Sequence, residues 1–109
     1  MTTVTLLTEE SRIIGFEVSG HSGYADAGED IVCAAVTSAV RLVETTVNDV
    51  MGLCAAVRVN AQEAVITLRL PGGLASDAES TCQNLLAGLM VYFAQLHDEY
   101  PDNIEVMEA

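Results

Sequence analysis

Residues 12–19, RIIGFEVS, alternate strictly: Ile14, Phe16 and Val18 fall on one side of an extended chain, Gly15, Glu17 and Ser19 on the other. A period of two predicts a half-buried strand. Residues 2–8, TTVTLLT, are rich in β-branched types and predict a second strand, and the polar EES between the two predicts a hairpin. The period changes after Asp30. Valines at 36, 40, 43, 47 and 50 recur at three- and four-residue spacing, the signature of one helix face, so a helix is predicted from Ile31 to about Met51 with Gly52 as its stop. So many β-branched residues lower its intrinsic propensity, so tertiary packing must hold it.

CAAVRVN (54–60) and AVITLRL (64–70) predict two more strands joined by a short polar turn, and PGG (71–73) breaks the chain. Ser76-Asp77-Ala78-Glu79 fits a capping box, with serine at the N-cap and glutamate three residues on. The helix that follows is predicted to end near His97 or Asp98, before Tyr100-Pro101, and NIEVM (103–107) to form a last short strand. The expected fold class is α+β: a mostly antiparallel sheet with two long helices, strand-strand-helix order repeated, and a short C-terminal strand.

At 109 residues, half of them hydrophobic, residues 1–109 are expected to form one domain with a real core. Charge adds a constraint. Sixteen acids face four bases, all arginine (Arg12, Arg41, Arg58, Arg69), for a net charge of -12. Such a surface favours solubility, repels nucleic-acid backbone and anionic membrane, and attracts basic protein. The N-terminus has no basic region followed by a long apolar run, and the apolar runs fall short of the roughly 20 residues of a spanning helix, so a cytoplasmic protein is expected. Three widely spaced cysteines argue against a disulfide framework. With no CxxC and two histidines, neither a metal nor a cofactor is expected.

The candidate chemistry lies in GHSGYADAGEDIVCAAVTSA, residues 20–39, which places His21 and Cys33 on either side of a glycine-bearing loop. With Asp30 as N-cap, Cys33 is the third helical residue, where the positive end of the helix lowers a thiol pKa from its usual value of about 8.5. A cysteine–histidine dyad follows: Cys33 as nucleophile, His21 as its acid/base partner, and first-turn amides as oxyanion donors. Gly20, Gly23 and Gly28 would let the loop move over a bound peptide. The bland alternatives are a buried small Cys33 and a structural His21. Tyr24 reads either as a packing anchor or as a substrate contact. Asp26, Glu29 and Asp30 read as a solvated loop with a cap, or as attraction for a basic peptide. Cys54 and Cys82 read as core, and His97 as a helix-end residue.

This stretch resembles the signature of the Prp family of ribosomal-processing cysteine proteases. Gly20, His21, Gly23, Tyr24, Ala25, Gly28, Asp30, Ile31, Val32, Cys33, Ala34, Ala35 and Val36 are in register with it. Gly88-Leu89 and the run from Tyr100 to Val106 resemble the family's C-terminal half. Ser22 and Thr37 stand where alanine and serine are common, and Thr37 keeps a hydroxyl four residues after Cys33. The resemblance implies a homodimer of small α/β subunits and a catalytic pair at His21 and Cys33. It implies substrate contacts at Gly23, Tyr24, Asp30 and Thr37, with a role for Asp30 beyond the cap. The implied partner is the N-terminal extension of a basic large-subunit ribosomal protein. Two other classes stay open: a non-catalytic dimeric module binding a basic ribosomal protein, and a redox-sensing thiol.

Overall fold

Two consecutive left-handed residues, Glu10 (φ 51°) and Ser11 (φ 65°), join β1 (Thr2–Glu9) to β2 (Arg12–Ser19). Positive φ at both central residues is the type I′ geometry whose twist matches that of the strands it connects. A computed structural model describes the backbone of residues 1–20 and 27–109, and the side chains of 1–20 and 31–109. The β1–β2 register shifts by one residue between Leu7 and Thr8, placing a bulge beside Ile13 and Ile14.

β4 (Val65–Arg69) pairs antiparallel with β2 on one side and with β3 (Ala56–Asn60) on the other. β5 (Ile104–Glu108) pairs parallel with β1. The sheet order is therefore β3-β4-β2-β1-β5, a mixed sheet in which one pair of four is parallel. Its ends, β3 and β5, are edge strands.

One face of this sheet carries Val4, Phe16, Val18, Leu68 and Ile104, all buried. Against it lie α1 (Ala27–Glu44), which continues as a π-helical turn over Thr45–Val50, and α2 (Ser76–Glu99). The core-facing stripes are Val32, Val36, Val40, Val43 and Val47 on the first helix, and Cys82, Leu86, Leu89, Phe93 and Leu96 on the second. These two stripes supply the packing that valine-rich α1 needs. Residues 31–50 are long and apolar enough to cross a membrane by length and composition, contrary to the sequence expectation. Their valine face packs in the core instead.

Four sequence expectations change. α1 begins at Ala27, so Asp30 is its fourth residue and not its N-cap, and Gly28 belongs to the helix. Val50 is exposed, although its spacing placed it on the core face. The π-helical turn is the reason: bonds reaching five residues back widen the turn and rotate Val50 off the stripe. Residues 54–55 precede β3, with Cys54 left-handed at φ 57°, a conformation no strand holds. At α2, Ala75 occupies the N-cap and Ser76 is already helical, so no capping box forms. Glu79 donates its N–H to the Ala75 carbonyl at 2.8 Å, and its carboxylate turns to Arg12 instead, at 2.5 Å.

Candidate active site

Cys33 is half-buried on α1, one residue after fully buried Val32 and three before buried Val36. It therefore sits at the margin of the core-facing stripe, where α1 turns from sheet to solvent. Thr37, one helical turn later, is exposed, and the two side chains share a face as their four-residue spacing requires.

Both line a cleft of about 250 Å³ at one end of the sheet. Its other walls come from three strand ends: Thr2 of β1, Val18 and Ser19 of β2, and the β3–β4 hairpin from Val59 to Ile66. The lining is mostly aliphatic, with hydroxyls of Thr2, Ser19 and Thr37 and the carboxamide of Asn60 among it. Such a composition suits a peptide side chain with an apolar body.

The hairpin wall is built locally. Asn60 Oδ1 accepts from the N–H groups of Gln62 and Glu63, each at 3.1 Å. The side chain thus mimics a turn of backbone, as asparagine does at chain reversals. Ala64 completes the reversal at φ 53°. Of these cleft residues only Cys33 and Thr37 were assigned to the site from the sequence, Val18 and Val36 having been read as core positions. Only the Asn60 turn had a local signal, and the hairpin's approach to α1 is a long-range event.

Cys33 lies deeper in α1 than its sequence context implied. As the seventh residue of α1 it lies in the second turn, beyond the first-turn region where the helix dipole acts strongly. Its own amide falls within the helical hydrogen-bond ladder, so first-turn amides beside Cys33 are not available as free oxyanion donors. At this position a side-chain partner, and not the helix end, is what a nucleophilic sulfur would require. His21, Gly23 and Tyr24 lie outside the described residues, as does the side chain of Asp30.

The other two cysteines behave differently. Cys82 is fully buried, and burial, followed by the nearby Glu79 charge, pushes its thiol up. That favours the neutral, inert form. Cys54 is exposed in the connection before β3, not in the core as its sequence context implied. His97 Nδ1 lies 2.6 Å from the carbonyl of Ile104, tying the end of α2 to β5. A carbonyl only accepts, so Nδ1 carries the proton. Among the described residues no three His, Cys, Asp or Glu side chains cluster as metal ligands would.

The family model for the cysteine protease Prp matches residues 1–105. The chain belongs to the cysteine protease Prp family. It is an enzyme of that class, and Cys33 is the only cysteine that lines the cleft. A Bacillus subtilis ribosomal processing cysteine protease Prp is 27% identical over 99 residues, 91% of this chain and 88% of the relative. The Prp from Staphylococcus aureus, an essential ribosomal processing protease solved in complex with a substrate peptide, superposes with a TM-score of 0.84 at 17% identity, over 100% of both chains. A Streptococcus mutans protein of known crystal structure gives a TM-score of 0.83 at 17% identity, over 99% of this chain and 93% of that one. The Prp fold thus accounts for the whole sheet and both helices.

Proposed function

We propose that this Prp-family chain is an endopeptidase that removes a short N-terminal extension from a basic large-subunit ribosomal protein. Cys33 is the nucleophile and His21 its acid/base partner. The observation that carries this reading is the placement of Cys33: half-exposed, on a packed helix, and lining a cleft that suits a peptide side chain.

The chemistry runs in two halves. The Cys33 thiolate attacks the scissile carbonyl, forming a C–S bond. The C–N bond then breaks, and the leaving amine takes its proton from the His21 imidazolium. In the second half His21 takes a proton from water, whose oxygen attacks the thioester. The acid product leaves and the thiolate–imidazolium pair is restored. Thr37, exposed beside Cys33 in the cleft, is assigned to hold the peptide. Gly23, Tyr24 and Asp30 are assigned to the same task on the family resemblance. A surface of net charge -12 favours encounter with a basic substrate.

The working form in this reading is a cytoplasmic homodimer. Exposed Ile31, Leu42 and Tyr92 leave apolar surface on the outer side of the two helices. Leu42 and Tyr92 border a groove floored by Ala39 and Gly88. Small residues in such a groove admit close approach of a second pair of helices.

The test is a cleavage assay read by mass spectrometry, with the host's own ribosomal protein and with Cys33→Ala as the comparison. One N-terminal cut by the unaltered protein alone supports the reading. Retention of the substrate without a cut by either protein favours a binding module instead.

A further inference from the structure

The amide of Leu70 donates to the Ile14 carbonyl at 2.8 Å, continuing the register in which Gly15 faces Arg69. In an antiparallel ladder, backbone groups point alternately to one neighbour and the other. Leu68 and Ile66 share the direction of Leu70 and so face β2. Arg69, Thr67 and Val65 face β3, where their partners are Ala56, Arg58 and Asn60. The two remaining residues of β3, Val57 and Val59, therefore direct their N–H and C=O groups away from β4, out of the sheet. β3 ends the sheet, and among the described residues no hydrogen bond is made to these outward groups.

The same strand forms part of the cleft. Val59 lines it together with Cys33 and is 68% exposed, so the free edge runs directly into the space before the sulfur. The geometry points to the edge of β3 as the docking rail for the substrate: an extended peptide adds as a sixth strand. It exchanges main-chain hydrogen bonds with Val57 and Val59. Every second side chain then falls on the Val59 side of the sheet, towards the cleft. This inference rests on the endopeptidase reading for its occupant, and it names what that reading lacks: the substrate is held by its backbone in β conformation. The partner class is an extended, unfolded segment, such as a chain terminus, and not a helix or a folded loop.

Two experiments test it. The first uses a synthetic peptide of the host ribosomal protein's N-terminal segment, with each amide N-methylated in turn. Cleavage is followed by the unaltered protein, and binding by the Cys33→Ala variant. The expected result is a roughly tenfold or greater fall in kcat/KM and in affinity at every second position along one run, with little change between. Efficient cleavage without alternation overturns the rail and leaves the protease reading standing. Alternation in binding with no cleavage of any peptide supports the rail and sinks the protease reading. A peptide neither cut nor bound overturns the rail.

The second experiment replaces Val57 by proline, which removes an outward N–H without touching the β3–β4 ladder. It is expected to lower kcat/KM by a similar factor. Unchanged cleavage by a folded Val57→Pro protein overturns the proposal, and loss of self-association in its place assigns the edge to a second copy. If Val57→Pro fails to fold, the methylation series decides alone.

Discussion

The carboxamide of Gln83 holds the backbone of Ile13 from both sides: its Oε1 accepts from the Ile13 N–H at 2.8 Å, and its Nε2 donates to the Ile13 carbonyl at 2.8 Å. A helix side chain thereby supplies what a neighbouring strand would, beside the bulge where the β1–β2 ladder shifts. Gln83→Leu leaves both groups of Ile13 without their partner in a half-buried place. Chemical denaturation is expected to show a loss of about 1–3 kcal/mol. Gln83→Glu keeps the acceptor and loses the donor, so it should fall between the two. Equal stability of all three proteins would show that water replaces the carboxamide at no cost.

Glu79 extends the same contact. It accepts from Arg12 Nε at 2.5 Å and from Gln83 Nε2 at 3.2 Å, while Arg12 Nη2 donates to the Pro71 carbonyl at 2.9 Å. The hydrogen bond from Arg12, more than its charge, holds the Glu79 carboxyl below the usual carboxylate range. A folded-state pKa below the unfolded one adds stability above the unfolded pKa, and that stability is lost as pH falls through the folded pKa. Wild type is expected to exceed Glu79→Gln by on the order of 1 kcal/mol near neutrality. The gap should close as pH drops below about 4. Unfolding curves across that window measure it, and a gap that stays constant into acid would remove the ion pair as its source.

Thiol labelling separates the three cysteines. Cys33 is half-buried at the cleft, Cys54 is exposed, and Cys82 is buried with its thiol pushed up by burial. In the native protein, alkylation is expected at Cys33 and Cys54, with Cys82 modified only after unfolding. Peptide mapping of the labelled sites decides it. Native labelling of Cys82 would mean that α2 opens locally under native conditions.

Gly20 has a structural reason to be glycine that differs from the one its motif implied. Its φ is +85°, and a Cβ there would stand 2.5 Å from the carbonyl oxygen of Met1. β2 thus ends against the start of β1, directly before His21. Gly20→Ala combines a strained backbone with a main-chain clash, and a stability loss of about 1–3 kcal/mol is expected. Cleavage should fall further than stability does, because the displaced residue is the one that carries His21. The pair of measurements is a melting curve and a kcat/KM. Full activity in a destabilised variant would unlink Gly20 from the proposed dyad.

Leu42 is 65% exposed beside the small-residue groove between the helices. Leu42→Glu places a charge where a second copy is proposed to pack and touches nothing in the core. Light scattering is expected to report a dimer for the wild type and a monomer for the variant. A wild-type monomer, or a variant that stays dimeric, moves the interface elsewhere.

The parts of this fold that the sequence announced are those with a short period. RIIGFEVS is a strand because alternate residues meet the core, and Val36 to Val47 lie on a stripe because a helix repeats near four. The misreadings arise where the backbone departs from a fixed period or needs no apolar residue. Val50 leaves its stripe at a π-helical turn. Ala27-Gly28-Glu29 precede the valine stripe, so the first turn of α1 was invisible to an apolar pattern. At the site, Cys33 and Thr37 were legible because they share one helix. Val59, Asn60 and Ile66 were not, because only the sheet brings that hairpin to the helix.

An open strand edge accepts any extended chain, including another copy's. β3 has a single charged residue, Arg58, and two valines whose backbone groups point outward, which is thin protection by the usual standards of edge strands. What keeps the copies of this protein from zipping together along β3 is then a property of the whole surface: the mutual repulsion of molecules that each carry a charge of -12. Concentrated salt, or acid that neutralises the carboxylates, removes that repulsion while leaving the edge intact. The acidity that suits the basic substrate proposed above therefore also sets the colloidal limit of the enzyme, and the first failure on storage or concentration should be fibrillar association seeded at β3.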